Sequence, residues 1–248
     1  MYKDYPFLYE THLHTNVSSK CGQASPVDMV KACKAKGYSG IIITEHNWGG
    51  NTAISSDLPW EQWVREFVKS YHMAKEWGDQ NDFDVFFGYE AGFHGTEFLI
   101  YGVDEEWMIA HPELRDADVE KQYQLIHEAG GMVIHAHPYR EEDYIPEIRL
   151  FPEFVDGVEA VNATHSNSNS KAHNDPMFDE KAIQYAKEHD FPMTAGSDIH
   201  STNIFGGGIC FPRRLKSIQD YMDYIRNSRD YLLTNGEKWY DSRGNLLS

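Results

Sequence analysis

The sequence predicts an α/β fold, with a parallel sheet wrapped by helices, on three observations. Strand-like and helix-like segments alternate along the chain. The length of 248 residues is common for one α/β barrel domain. Histidine and acidic residues recur where predicted strands end, which is where such a barrel carries its active site. No internal repeat or linker divides the chain, so we expect residues 1–248 to form one domain.

Short apolar runs define the predicted strands, and apolar residues at helical spacing define the predicted helices. Ser25 and Pro26 are typical of a helix start, and Gly37 is typical of the stop of the same helix. The weakly patterned tail, residues 231–248, is expected to be a hairpin or a strap. The predicted strands are residues 7–14, 41–43, 85–87, 98–101, 132–134, 158–161 and 192–195. The other predicted helices are residues 60–77, 119–129, 178–189 and 218–225.

The composition disfavours several classes of protein. Hydrophobic residues make up 41% of the chain, but no apolar run approaches the ~20 residues that a membrane span needs. The net charge of −17 argues against binding duplex nucleic acid through a basic face. The three cysteines are far apart and the first residues lack the apolar stretch of a signal peptide, so we expect a cytoplasmic protein. The oligomeric state stays open.

Two pairs of possible metal ligands stand at predicted strand ends. His12 and His14 are two residues apart, and the two-residue period of a strand points both rings to the same face. Asp198 and His200 repeat this spacing after the apolar run that ends at Ala195. A carboxylate and imidazoles together suit Zn, Mn or Fe.

Three further ligand candidates follow other predicted strands. His46 ends the Ile-rich second strand, Glu90 follows the third, and His137 precedes a proline after the strand at 132–134. Each residue alone is more often structural than functional. Because the strand ends of a barrel meet at one rim, their repetition predicts one multinuclear metal site there.

The order of these motifs resembles the PHP superfamily, which is named for polymerase and histidinol phosphatase. The resemblance spans roughly residues 8 to 202 and implies a distorted (β/α)7 TIM-like barrel, with the metal site at the C-terminal ends of the strands. It also implies up to three metal ions and, usually, phosphoesterase activity. The motifs that carry it are His12/His14, His46, His137-Pro138 and Asp198/His200.

The resemblance also implies how the ligands are shared. Glu90 would bridge two ions. Three further residues each have two possible roles. Cys21 takes the place of an acid or histidine in the loop after His14, either as a thiolate ligand or as a free cysteine. Glu97 takes the place of a strand histidine, as a ligand or a surface acid, and His135 is a ligand or a supporting residue. The implied sets are His12, His14, Glu90 and Asp198 for one ion, His46 and His200 for a second, and Glu90 with His137 for a third.

The chemistry expected of this site is hydrolysis of a small phosphorylated metabolite or nucleotide by metal-activated water. Arg140 is the predicted phosphate contact because a guanidinium matches phosphate oxygens, and Lys20 is a weaker candidate. Asp198 and His200 complete the predicted catalytic residues. His200 and His165 are both open as general acid, and His165 falls in the polar segment 162–170, expected at the mouth of the site.

Two alternative functions remain. An amidohydrolase-like enzyme also begins with a His-x-His pair and ends with an aspartate, but no strand-end lysine stands where its bridging carbamate is expected. A non-catalytic metal-binding regulatory module predicts eroded ligands, whereas this chain keeps the main set. A nuclease is disfavoured by the acidic charge and the lack of a basic stripe.

Overall fold

Ten strands form one curled, mixed sheet in residues 3–247, the part of the chain that this computed structural model describes. The order of the strands across the sheet is β10-β9-β8-β1-β2-β3-β4-β5-β6-β7. The strands are β1 (Phe7–Glu10), β2 (Gly40–His46), β3 (Asp84–Phe93), β4 (Thr96–Tyr101), β5 (Met132–Ala136), β6 (Gly157–Asn162), β7 (Met193–Gly196), β8 (Gly207–Phe211), β9 (Leu232–Asn235) and β10 (Trp239–Asp241).

Six of the seven predicted strands run in one direction and the fourth does not, so the expected parallel sheet is wrong at β4. β1–β3 are parallel to one another, as are β5–β7, but β4 runs antiparallel between β3 and β5. The cause is the two-residue turn of His94 and Gly95, which both have positive φ (51° and 90°) and so form a tight hairpin. A parallel crossover needs a much longer connection. β8 pairs antiparallel with β1, and β9 and β10 extend that edge as the hairpin expected of the tail.

The sheet curls because β1 and β7 approach each other just beyond their C-terminal ends. Leu13 and Ile199 form a parallel bridge there. The Ile199 N–H donates to the His12 carbonyl at 3.2 Å, and the His14 N–H donates to the Ile199 carbonyl at 2.9 Å. The α/β fold with a curled sheet is thus confirmed, with ten mixed strands in place of seven βα repeats. The first strand is shorter than predicted, since its ladder with β2 ends at Glu10, although the Leu13 carbonyl still accepts from the Thr44 N–H at 3.1 Å.

Eight α-helices cover this sheet in the described residues. The predicted start and stop of the first are confirmed, since Ser25 accepts a hydrogen bond from the Asp28 N–H and Gly37 has φ 101°. The last helix continues into a π-helical turn, Tyr224–Ser228. The helices are α1 (Pro26–Lys36), α2 (Trp60–Phe67), α3 (Lys69–Gln80), α4 (Glu105–Ala110), α5 (Val119–Glu128), α6 (Ala163–Ser166), α7 (Pro176–Glu188) and α8 (Ile218–Asp223). Within residues 3–247 no helix is both long and apolar enough to cross a membrane.

The single helix expected over residues 60–77 is broken at Val68. The two halves bury different faces: Trp63 and Phe67 of α2 pack beside Tyr89, whereas Ala74 of α3 packs in the cluster that contains residues of α1. The Ser18 hydroxyl donates to the Phe67 carbonyl at 2.7 Å and so satisfies an acceptor next to the break. The break follows from contacts with distant residues, which the local apolar period does not encode.

Alternation along β2 shows how the sheet separates its two apolar layers. Ile42 packs with Tyr9 in the inner cluster, while Ile41 and Ile43 pack with Met29 of α1 in an outer one. Each such fully buried side chain contributes roughly 1.5–3 kcal/mol. Beyond Ile43 the strand becomes polar yet stays buried, which places polar side chains at the C-terminal rim of the sheet.

Candidate metal centre

The ligand candidates meet at this rim, as the sequence predicts. His46 ends β2 and is the register partner of Glu90 in β3. His12 and His14 follow β1, His137 follows β5, and Asp198 follows β7. All of these side chains are buried within the described structure. Residues separated by up to 186 positions along the chain therefore share one site.

Glu90 lies at the centre of the cluster. Its Oε1 is 3.2 Å from His12 Nε2 and 3.1 Å from His137 Nε2. Its Oε2 is 3.4 Å from His14 Nε2 and 2.8 Å from His46 Nδ1. Burial alone would raise the pKa of Glu90, but the charges of His12 and His46 outweigh it and hold the pKa well below its usual range. Glu90 is thus an ionised carboxylate in contact with four imidazole rings.

Asp198 closes the cluster opposite Glu90. Its Oδ1 is 3.1 Å from His14 Nε2, 3.5 Å from His12 Nε2 and 3.6 Å from His200 Nε2. Its Oδ2 lies 2.7 Å from Arg140 Nη1. Asp198 therefore faces the histidines with one oxygen and the predicted phosphate contact with the other.

Cys21 and Glu97 also reach the cluster. Ligand atoms within 4.8 Å of one another form four groups: His14, Cys21, His46 and His200; His12, His14 and Glu90; His12, His137 and Asp198; and His46, Glu90 and Glu97. Burial raises the pKa of the Cys21 thiol, but hydrogen bonds with His200 and His46 outweigh this and lower it to about 7. The groups overlap, so every candidate ligand except His135 is brought into one centre.

Several buried atoms of the cluster fit divalent cations. His12 Nε2, His14 Nε2, His46 Nδ1 and Glu90 Oε2 are inaccessible to solvent and lack a hydrogen bond of good geometry. Such unpaired polar atoms are costly unless something binds them. Burial and the nearby charge of His46 lower the pKa of His14 to about 3, so this ring stays neutral, which is the form that binds metal. The donor set is nitrogen and carboxylate oxygen, with one thiol.

The backbone at the rim is held in unusual conformations. His137 and Asp198 have φ of 28° and 50°, which lie in a backbone region that residues other than glycine rarely occupy. Such strain persists only where the surroundings enforce it, and it is common at functional sites. A Cβ on Gly196 would lie 2.5 Å from the Cβ of His12. Gly196 thus allows the backbone before Asp198 to approach His12 closely.

Glu159 supports the centre from behind and was missed from the sequence. Its Oε1 accepts from His12 Nδ1 at 2.9 Å, and its Oε2 accepts from the His137 N–H and from Asn162 Nδ2, both at 3.1 Å. A carboxylate in this position fixes a ligand histidine with Nε2 free for metal. The only hint in the sequence is one acid inside an otherwise apolar strand, β6.

His165 falls in the polar segment expected at the mouth of the site, but its side chain is not exposed there. It stands on α6 and is buried, with Nδ1 2.8 Å from Asp179 Oδ1. Its Nε2 accepts from Arg140 Nε at 3.0 Å. Arg140 is itself only 3% exposed, so it is no surface cation. The sequence did not identify Asp179 as part of the site, because an acid in the first turn of a helix such as α7 is common without any such role.

Two other candidates lie outside the cluster. His135 packs in a stacked arrangement on Phe98 with ring centroids 5.0 Å apart, and it belongs to none of the groups of metal-binding atoms. Burial and the neighbouring His137 lower its pKa to about 3, so it is a neutral ring beneath the site. Lys20 is exposed and is absent from the lining of the cleft.

A cleft of about 1100 Å³ opens over the centre. Cys21, His46, Glu97, Arg140 and His200 form its floor together with Asp198, and the turns at 49–51, 94–95 and 169–173 form its walls. The cleft is much larger than an inorganic phosphate. It therefore has room for the organic part of a substrate beside the metal-binding cluster.

Comparison with known sequences identifies the family. Residues 10–188 match the sequence profile of the PHP domain, and residues 176–229 match that of a PHP-associated region. The first match covers more than half of the chain, so the chain belongs to the PHP domain family. The resemblance inferred from the strand-end motifs is confirmed, and at the level of this family so is the expectation of a hydrolase. A search of curated proteins finds no significant match.

Solved structures share the fold at low identity. A two-domain protein from Bacteroides vulgatus containing a predicted PHP-like metal-dependent phosphoesterase has 16% identity and a TM-score of 0.66, over 94% of this chain and 66% of that one. PsfC from Pseudomonas syringae has 15% identity and a TM-score of 0.57, over 87% of each chain. The lesion-specific endonuclease PfuEndoQ from Pyrococcus furiosus has 12% identity and a TM-score of 0.57, over 91% of this chain and 57% of that one.

Proposed function

We propose that the protein is a metal-dependent hydrolase of phosphate esters that acts on a small phosphorylated metabolite or a nucleotide, as histidinol phosphatases do. The observation that carries this proposal is the buried Glu90 carboxylate with four histidine nitrogens within 3.4 Å of it. Divalent ions held there would supply hydroxide from bound water near neutral pH and would offset the charge of phosphate oxygens.

Two to three ions, Zn, Mn or Fe, are the proposed cofactors. Imidazole and carboxylate donors suit all three metals, and a thiolate favours Zn. Glu90 is the proposed bridging ligand because both of its oxygens face ring nitrogens. The proposed sets are His12, His14, Glu90 and Asp198 for the first ion, His46, His200 and Cys21 for the second, and Glu90, His137 and Glu97 for the third.

Arg140 is the proposed contact for the substrate phosphate. Its guanidinium borders the cleft, and its Nη2 is buried without a hydrogen-bond partner. Asp198, which accepts from Nη1, is the proposed residue that links this contact to the ions. His200 is 26% exposed at the floor of the cleft, where its ring can hold an ion or give a proton to the leaving oxygen.

A small substrate is favoured over duplex nucleic acid. Among the residues that line the cleft, the fixed cations are Arg140 and Lys171, and the whole chain carries a net charge of −17. A duplex needs a track of lysines and arginines along its backbone. The endonuclease is similar to this chain in fold alone, at 12% identity.

The alternatives are disfavoured by the same cluster. An amidohydrolase-like centre bridges its ions through a carbamylated lysine, whereas the residue that lies between the histidines here is the carboxylate Glu90. A regulatory module without activity would not need an open cleft above a complete ligand set. We also propose a single domain, because strands from both ends of the chain share one sheet, and a reducing, cytoplasmic location, because the three cysteines are free.

Metal-replete protein tests this function in a phosphatase screen over phosphorylated metabolites and nucleotides. We expect more than one equivalent of Zn, Mn or Fe per chain and hydrolysis of at least one phosphomonoester. Asp198→Ala should abolish that hydrolysis and lower the metal content while circular dichroism stays unchanged. Glu142→Gln, which removes a carboxylate that bonds His173 outside the cluster, is the matched control. Trace metal in protein grown with supplement, or an unchanged rate in Asp198→Ala, would refute the proposal.

A further inference from the structure

Arg140 fixes the tautomer of His165. Arginine has only donors, so the 3.0 Å contact from Arg140 Nε requires a lone pair on His165 Nε2. The proton of a neutral ring then lies on Nδ1, where it is donated to Asp179 Oδ1 at 2.8 Å. Burial, together with the Arg140 charge, lowers the pKa of His165 well below its usual value, consistent with the neutral ring.

Asp179 is anchored so that it can hold this ring. Its Oδ1 also accepts from the Asn162 N–H at 3.1 Å, and its Oδ2 lies 2.6 Å from the Ser166 hydroxyl. Burial raises the pKa of Asp179 to about 8. A proton on Oδ2 beside Ser166 leaves Oδ1 free to accept, so the bond from His165 persists in either protonation state.

The guanidinium of Arg140 is consequently held on two sides, and its third nitrogen has no hydrogen bond of good geometry, although the Tyr144 phenol lies near the group. Nε is held by His165 and Nη1 by Asp198 at 2.7 Å. Nη2 is buried, and the side chain borders the cleft. A planar cation fixed at two corners presents the remaining donor in one direction.

We propose that Asp179 and His165 are positioning residues that hold Arg140 ready for an anionic group of the substrate. This proposal rests on the proposed function, because it takes the group bound at Nη2 to be the phosphate. The path runs from α7 through α6 to the segment after β5, so two helices brace a side chain at the rim. Fixing a long side chain before binding lowers the entropy lost when substrate arrives.

The same geometry assigns His165 a role that excludes two others. Its Nε2 lone pair is used by Arg140, so it is unavailable to a metal ion. Its only proton faces Asp179, away from the cleft, so it is not the donor to a leaving group. His165 acts on the substrate only through Arg140.

A double-mutant cycle on the metal-loaded protein tests the proposal, with inorganic phosphate as the probe and calorimetry as the readout. His165→Phe keeps an aromatic ring against Phe178 but cannot accept from Arg140. We expect it to raise the Kd for phosphate about tenfold, since a hydrogen bond to a charged group is lost. In an Arg140→Ala background the same change should have an effect below about twofold. His127→Phe removes a histidine that bonds Asp156 and does not line the cleft, and its Kd should match the wild type.

Metal content, measured on each variant, separates the possible failures. It should stay at the wild-type value in His165→Phe, and loss of one equivalent would make His165 a ligand and overturn the proposal. Equal effects of His165→Phe in both backgrounds would also overturn it, while leaving the proposed function intact. If wild-type protein binds no phosphate, the positioning role fails, and if it also hydrolyses no ester the proposed function fails with it.

Nitrogen NMR on the wild-type protein gives a second test that needs no variant to fold. The ¹⁵N shifts of a neutral histidine distinguish its two tautomers. We expect His165 to carry its proton on Nδ1, which is the less common tautomer in free histidine. A proton on Nε2, or a charged ring near neutral pH, would contradict the hydrogen bond from Arg140.

Discussion

Replacing Glu159 by glutamine should loosen the metal centre without touching a metal ligand. Both oxygens of Glu159 accept hydrogen bonds: Oε1 from His12 Nδ1, and Oε2 from the His137 N–H and from Asn162. Glutamine offers one oxygen and one NH2 group of nearly the same shape. Whichever way the amide is turned, a donor must face a donor, because all three partners donate.

The expected loss of metal affinity follows from which of these hydrogen bonds is broken. If the NH2 group faces His12, the ring must move its proton to Nε2, and the nitrogen that faces Glu90 is no longer a ligand. If it faces the other side, the main chain of His137 and the side chain of Asn162 lose their acceptor. Loss of such a supporting carboxylate typically costs 10–100-fold in metal affinity, which is about 1.4–2.7 kcal/mol.

Competition with a fluorescent chelator for Zn²⁺ or Mn²⁺ measures this loss. We expect Glu159→Gln to bind at least one ion about 10–100-fold more weakly, with an unchanged circular dichroism spectrum. Glu142→Gln, which alters a histidine–carboxylate pair outside the cluster, should bind metal like the wild type. Wild-type affinity in a folded Glu159→Gln variant would refute the idea that this carboxylate orients His12.

Two further predictions concern Cys21 and His135. If the Cys21 thiolate binds an ion, Co²⁺-loaded protein should show a sulfur-to-cobalt charge-transfer band that Cys21→Ser lacks; a band that survives the substitution would exclude Cys21 as a ligand. The pKa of His135 is lowered by burial to about 3, so below pH ~6.5 only the unfolded chain takes up this proton and the free energy of unfolding falls with pH. By about pH 5 the metal-free protein should lose about 2 kcal/mol of its free energy of unfolding through this proton. Urea unfolding of His135→Phe should lack this loss, and an equal loss of stability in acid for both proteins would contradict the prediction.

The sequence predicts those parts of the site that depend on local pattern. The candidate ligands His12, His46, Glu90 and His137 each come after a short apolar run, and in a curled sheet the strand ends converge whatever the details of topology. The caps of α1 are likewise local, because Ser25 and Gly37 act within one turn of their own positions. Both the candidate ligands and the helix caps can therefore be predicted from the sequence alone.

Features that depend on contacts between distant residues were not visible. Glu159 and His12 are 147 positions apart, and nothing near Glu159 shows which side chain it meets. The direction of β4 is set by the turn at His94 and Gly95. Histidine followed by glycine is a weaker hairpin pattern than asparagine followed by glycine, so the sequence did not predict this turn. The break at Val68 is set by packing of α2 and α3 against different clusters.

Anomalous diffraction from crystals of metal-loaded protein tests the central claim most directly. At least two peaks should lie about 2.0–2.3 Å from nitrogen or oxygen atoms of the cluster, with Glu90 contributing to more than one of them. Finding no peak beside Glu90, with metal bound elsewhere on the chain, would mean that these histidines and acids do not form the metal centre of a hydrolase.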